Sequence, residues 1–364
     1  MALAVAESHG VFVVTLPAGR SPSRLGWIDF SKGICIIGVV TLYAAQKMQE
    51  ELGLTGWLQH WVDFARPFRM PDFFLLSGLF LSRVIERPWR EYLDRKVVHY
   101  LYFFVLWTVI YFVGKAAVGR AGASVPEMAL ELGSMLVEPF AMLWFIALLP
   151  VFFIVTRLTR KVPWWIMLAV GAALQVSDFH TDAWLMVGHF CKRFVFFYIG
   201  YRFAPLFFEV ARLAEGNRRN ATAALAAWAV AHGWLVATGI ADAPGWSLLA
   251  GLVGCASVIV AGALLQRMPW MDWLRWLGEH SIVTYLAFFL PMGLLIVAMK
   301  RTGPWVDPGT AALALSMVST VLAVLLYRAT ARTPLRLLFE RPGWAHLRQP
   351  RHAAEGARPR PLHF

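Results

Sequence analysis

The 364-residue chain is 59% hydrophobic and 15% charged, with a mean hydropathy of +0.57, which excludes an ordinary soluble domain and predicts a multi-span membrane protein. Its net charge of +12 raises nucleic acid as a partner, but the basic residues cluster between apolar runs, where membrane orientation explains them and no nucleic acid is needed. Cys35, Cys191 and Cys255 lie in apolar stretches without CxxC spacing, so neither a disulfide framework nor a metal site is expected.

In residues 1–24 the apolar pieces "ALAVA" and "VFVVTL" are split by Glu7, Ser8, His9 and Gly10 with no basic region ahead of them. They read as a loose tail rather than a signal peptide. Beyond it, runs of the roughly 20 apolar residues needed to cross about 30 Å of hydrocarbon predict ten spans. These lie near 27–46, 69–86, 97–118, 139–156, 163–177, 187–207, 221–240, 246–266, 281–299 and 309–328. The fifth is short, and "EMALELGSMLVE" before the fourth reads as an amphipathic interfacial helix.

Basic residues mark one side of this arrangement. Arg20 and Arg24 precede the first span, Arg83, Arg87, Arg90, Arg95 and Lys96 follow the second, and Arg157, Arg160 and Lys161 follow the fourth. Arg212, Arg218 and Arg219 follow the sixth, Arg267 and Arg275 the eighth, and an Arg-rich tail the tenth. Lys300 and Arg301 are the exception. The positive-inside rule then places both termini in the cytosol and "QEELGLTGWLQH", "SDFHTDAW" and "ADAPG" outside. The expected fold is an all-α polytopic membrane helical bundle of about ten transmembrane helices. Residues 25–330 form the membrane domain and 331–364 a basic, disordered cytosolic tail.

Ionisable groups inside the spans are the candidate chemistry, because charges in hydrocarbon are costly and usually mark a site or pathway. Lys32 and Tyr43 are eleven residues apart, which returns to the same helix face about 16 Å further along the axis. Asp29 can pair with Lys32, although a Lys at a helix end also simply snorkels to the surface. In "FRMPDFFLLSGLF", Pro71 suits a first helical turn, and Asp72 there complements the positive end of the helix dipole. Asp72 would then face Tyr43. Ser77 and Gly78 permit close helix contact. "DRKVVHY" sets Lys96 and His99 on one face, suited to phosphate or explained by the positive-inside rule alone, and "HFCKRFVFFYIGY" brings His189, Lys192 and Arg193 into the sixth span.

These stretches resemble the membrane-bound acyltransferase 3 family. "DFSKGICIIGVV" (Asp29 to Val40) is similar to its first-helix motif and "FRMPDFFLLSG" (Phe68 to Gly78) to its second; "LWFIALL", "FFYIGY" and "LGEHSIVTYLAFFLP" resemble later landmarks, in order. The resemblance implies transfer of an acyl group, commonly acetyl, from cytosolic acyl-CoA to a glycan or other hydroxylated acceptor in a bacterial inner or plasma membrane. Lys32, Arg95, Lys96 and His99 would then hold the donor's phosphates, and Tyr43, Asp72 and His189 would serve the chemistry. The chain departs from the family where the chemistry lies. Tyr43 occupies the position of the presumed catalytic His, His99 that of the second Arg of an Arg-x-x-Arg pair, and Phe288 that of a late His. A phenol near pKa 10 is a poor base at neutral pH, so Tyr43 is expected to position the acceptor or polarise the thioester, with the proton passing to Asp72, His189 or His60. A non-catalytic exporter or flippase built on the same bundle, and a scaffold for envelope glycan synthesis, are the alternatives.

Overall fold

The structure is a computed structural model and describes residues 4–8, 11–15, 25–119, 124–177, 185–302 and 306–347. The predicted N-terminal tail contains an antiparallel pair, β1 (Ala4–Ser8) and β2 (Val11–Thr15), with Ala4 opposite Thr15. The remaining regular structure is helical.

The first apolar run forms α1 (Gly26–Leu52), which closes at Gly53 with φ 67°, a left-handed conformation that glycine adopts without a Cβ penalty. α2 (Leu58–Gly78) begins eleven residues before the predicted start at 69, so Pro67 and Pro71 lie inside it. Asp72 is therefore deep in the helix and caps nothing. α3 (Trp89–Leu93) runs through a π-helical turn at Asp94–Val98 into α4 (His99–Gly119). The amphipathic segment forms α5 (Val125–Val137), started by a capping box between Ser124 and Glu127. Then follow α6 (Trp144–Leu158), α7 (Trp164–Val176) and α8 (Leu185–Arg202), which bends by 75° into α9 (Ala204–Gly216). α10 (Arg218–Ala237), α11 (Trp246–Leu265) and α12 (Asp272–Glu279) lead to α13 (Ser281–Ala287), which turns by 42° at Phe288 into α14 (Phe289–Thr302). α15 (Pro308–Thr330) is the last long helix.

Among the described residues five helical segments are long and apolar enough to cross a membrane, or seven if each bent pair counts as one span. The other three predicted segments hold α2, α7 and α10. α2 carries Asp63, Arg66, Arg69 and Asp72 along its length, and α7 has only 13 residues. With the family assignment below, this is an integral membrane protein.

α1 runs through the centre, packed by α2, α11, α12 and α15, with Ile36, Val39, Val40 and Ala44 fully enclosed. Gly78 and Gly200 let α2 and α8 touch backbone to backbone: a Cβ on Gly78 would lie 2.3 Å from the Phe197 carbonyl oxygen, and one on Gly200 2.1 Å from that of Leu75. The close contact expected of Gly78 is present, while Ser77 instead lines a narrow cavity.

The disordered tail expected from residue 331 is corrected as far as residue 347. A 3-10 turn at Pro334–Leu338 leads to Phe339, 1% exposed, tilted against Trp107 and edge-on to Tyr327. The Trp107 indole N–H and the Tyr102 hydroxyl donate to the carbonyls of Leu338 and Leu337, both at 2.9 Å. Arg341 donates to the Asp94 carbonyl at 2.6 Å and to its Oδ2 at 2.7 Å, and the Leu347 N–H donates to Oδ1 at 2.8 Å. Within "PLRLLFERPGW" the burial comes from Phe339, with Leu337 and Leu338 partly covered beside it, while Leu335 and Trp344 stay exposed. Residues 348–364 lie outside the described residues.

Candidate active site

Tyr43, in the second half of α1, borders a cavity of about 500 Å³ formed with α2, α6 and α8, a size ordinary for a ligand site. Its ring packs on Phe288 and Phe289, with centroids 5.7 and 5.9 Å away. His189 enters the same cavity from α8, stacked on Trp144 at 4.2 Å. Its Nδ1 lies 2.9 Å from an Nη of Arg193. A guanidinium only donates, so Nδ1 accepts, and the neutral ring carries its proton on Nε2. His189 therefore offers a hydrogen-bond donor rather than a lone pair.

Asp72 does not join them. It is fully buried and accepts from the Cys35 thiol at 2.6 Å, only three residues along α1 from Lys32, and it is absent from the residues lining the cavity. The expectation that Asp72 faces Tyr43 is therefore corrected. Asp72 instead meets Cys35, eight residues before Tyr43 on α1, and it is Arg69 that lines the cavity with Tyr43. Arg69, on α2, and Arg66, one turn before it, line the cavity with Lys192 and Arg193. Arg69 is visible as a charge within "FRMPDFF", but a span starting at 69 with Pro71 in its first turn puts it at a helix end rather than inside one.

At the other end of α1, Lys32 borders a narrow cavity of about 50 Å³ with Ser77, Tyr100, Ser281 and Tyr285. Tyr285 lines both cavities and stands between them, its hydroxyl donating to the Met142 carbonyl. Lys96 approaches this end, its ammonium 4.9 Å from the centre of the Phe153 ring and close enough to Lys32 for their charges to repel. His99 packs edge-on against Tyr100 and Phe103. Arg95 lies apart: its side chain is 59% exposed and meets Glu91 at 3.3 Å on the next turn. Thus the structure brings Tyr43 to His189 and Lys32 to Lys96, and leaves Asp72 and Arg95 outside both groups. His60 does not line the Tyr43 cavity.

The bundle holds two cavities beside its central helix, with Tyr285 in the lining of both. Residues 25–328 match the model of the acyltransferase 3 family, described as an acyltransferase domain. The chain belongs to that family. No curated protein and no solved structure is detectably similar to it.

Proposed function

We propose that the protein transfers an acyl group, acetyl in the simplest case, from acyl-CoA to a hydroxyl of a glycan or similar acceptor. The observation that carries this reading is that α1 presents Lys32 to one cavity and Tyr43 to a second, with Tyr285 as their shared wall. Lys32 and Lys96 suit the donor's phosphates from the cytosolic side, and the wide cavity suits the acceptor. The acceptor hydroxyl oxygen attacks the thioester carbonyl carbon, the C–S bond breaks, and the hydroxyl proton neutralises the departing CoA thiolate. The Tyr43 hydroxyl and the His189 Nε2–H are donors able to stabilise negative charge on the carbonyl oxygen. Neither is a base.

That shortage of a base favours one second reading, a non-catalytic exporter or flippase that retains the polar cavity. Titration of the purified protein with acetyl-CoA and with CoA separates the two. The transferase reading expects saturable binding that weakens in Lys32→Ala and Lys96→Ala, followed by acyl transfer or hydrolysis. Absence of binding overturns it.

A further inference from the structure

The wide cavity carries more positive charge than a neutral sugar hydroxyl requires. Arg66, Arg69 and Arg193 line it, against Asp242 as the one carboxylate among its described lining residues. Asp242 is already engaged, 2.6 Å from Arg66. Arg69 is 6% exposed and donates one hydrogen bond, from Nη1 to the Val62 carbonyl at 3.2 Å. Arg193 donates to His189 and lies over the Trp144 ring at 4.6 Å. Among the described residues neither arginine has a carboxylate in ion-pair contact, and the Nε of each is buried without a hydrogen-bond partner. A guanidinium does not give up its proton in a protein, so two like charges persist across the cavity. Buried charges are ordinarily compensated by a counter-charge, and here the cavity between them is the place for one.

We propose that this cavity binds a phosphate ester, so that the acceptor is an anionic, phosphate-bearing molecule held by Arg69 and Arg193. The inference rests on reading the Tyr43 cavity as the acceptor side. A phosphate offers several acceptor oxygens to two guanidinium forks, and Arg69 and Arg193 are two such forks. The phosphate has two possible sources. Arg69 also lines an apolar groove of about 290 Å³ bounded by Ile34, Phe64, Phe68 and Trp228, which would take the hydrocarbon chain of a lipid whose phosphate rests on Arg69. A soluble sugar phosphate would occupy the cavity alone.

The test is calorimetric titration of the full-length protein in detergent with glucose 1-phosphate, and with glucose as the uncharged control. The phosphate ester is expected to bind saturably and at least tenfold more tightly than glucose, and to lose at least tenfold in Arg69→Gln and in Arg193→Gln. Equal binding of the two probes, or variants that bind the phosphate ester like the parent, overturns the proposal; the comparison of probes on the parent protein decides even if both variants misfold. Phosphatidylglycerol added to the detergent micelles distinguishes the sources: competition assigns the phosphate to a lipid, and its absence to a soluble sugar phosphate. Acetyl-CoA titrated in parallel reports on the donor reading alone, so loss of one leaves the other standing.

Discussion

Tyr43 and Phe288 touch ring to ring, with centroids 5.7 Å apart. The sequence resemblance implies histidine at both positions, and under that expectation the two departures meet in one contact. Phe288 is completely buried at the 42° break between α13 and α14, and Tyr43 closes over it at the cavity edge. The first prediction follows from restoring one partner. An imidazole near pKa 6.5 is matched to neutral pH as a phenol near 10 is not. Tyr43→His is expected to raise acetyl-CoA hydrolysis or transfer by about 10²-fold, the lower end of what a positioned general base contributes. Thiol release from acetyl-CoA measures it, and a rate unchanged from the parent detaches Tyr43 from the chemistry.

Phe288 tests the structural side of the same contact. Its side chain is wholly enclosed, so Phe288→Ala leaves a cavity and is expected to cost about 3 kcal/mol, seen as a lower Tm in detergent. Phe288→His keeps much of the volume but places a ring nitrogen where no polar partner is assured. It should cost less in Tm than the alanine and, combined with Tyr43→His, exceed the single variant's rate.

The donor end separates the residues named from sequence. Lys32 lines the narrow cavity and Lys96 is near enough for their charges to repel, whereas Arg95 pairs with Glu91. Loss of one charge-assisted contact to phosphate removes about 1.5–3 kcal/mol. Acetyl-CoA affinity is therefore expected to fall by roughly tenfold to a hundredfold in Lys32→Ala and in Lys96→Ala, while Arg95→Ala stays within about twofold. A loss in Arg95→Ala equal to that in Lys96→Ala would place the phosphates on the outer surface instead.

Much of this was readable beforehand, and the misses have physical causes. The apolar run from 27 to 46 is unbroken, so α1 and the shared face of Lys32 and Tyr43 followed from helix geometry. The second helix was misplaced because Gln59, His60, Asp63 and Arg66 make its first half polar and Pro67 and Pro71 look like helix starts. Proline is tolerated within membrane helices when neighbours satisfy the freed backbone groups. The eleven-residue error moved Asp72 into the site and Arg69 out of it. The ordered part of the tail was hidden by composition: nothing in a single sequence reveals that Asp94, in a π-helical turn some 250 residues earlier, receives Arg341.

That clasp makes its own prediction. The Arg341 and Asp94 side chains are 4% and 10% exposed, and removing one partner of a buried ion pair leaves the other uncompensated, at about 3–5 kcal/mol. Arg341→Ala is therefore expected to release the segment from Pro334 onward, and trypsin should then cut at Arg336, which is protected in the parent while Phe339 stays seated. Unchanged protection in Arg341→Ala would mean that Phe339 and the Trp107 and Tyr102 hydrogen bonds hold the segment alone.

The contact between α2 and α8 gives the sharpest steric test, because the same chemical change has opposite outcomes at two glycines. At Gly200 an added methyl would sit 2.1 Å from the Leu75 carbonyl oxygen, against backbone that cannot rotate away, whereas at Gly293 nothing lies within 4 Å. Both are helical, so helix propensity alone favours alanine by roughly 1 kcal/mol at each. Overpacking reverses that at Gly200, where Gly200→Ala must push α8 from α2 at a cost of about 1–3 kcal/mol. Because α2 carries Arg69 and α8 carries His189 and Arg193, the displacement also widens the cavity between them. Gly200→Ala should thus lower Tm and weaken glucose 1-phosphate binding together, and Gly293→Ala should lower neither. A Gly200→Ala protein with the parent's Tm would show that these two helices do not meet at Leu75.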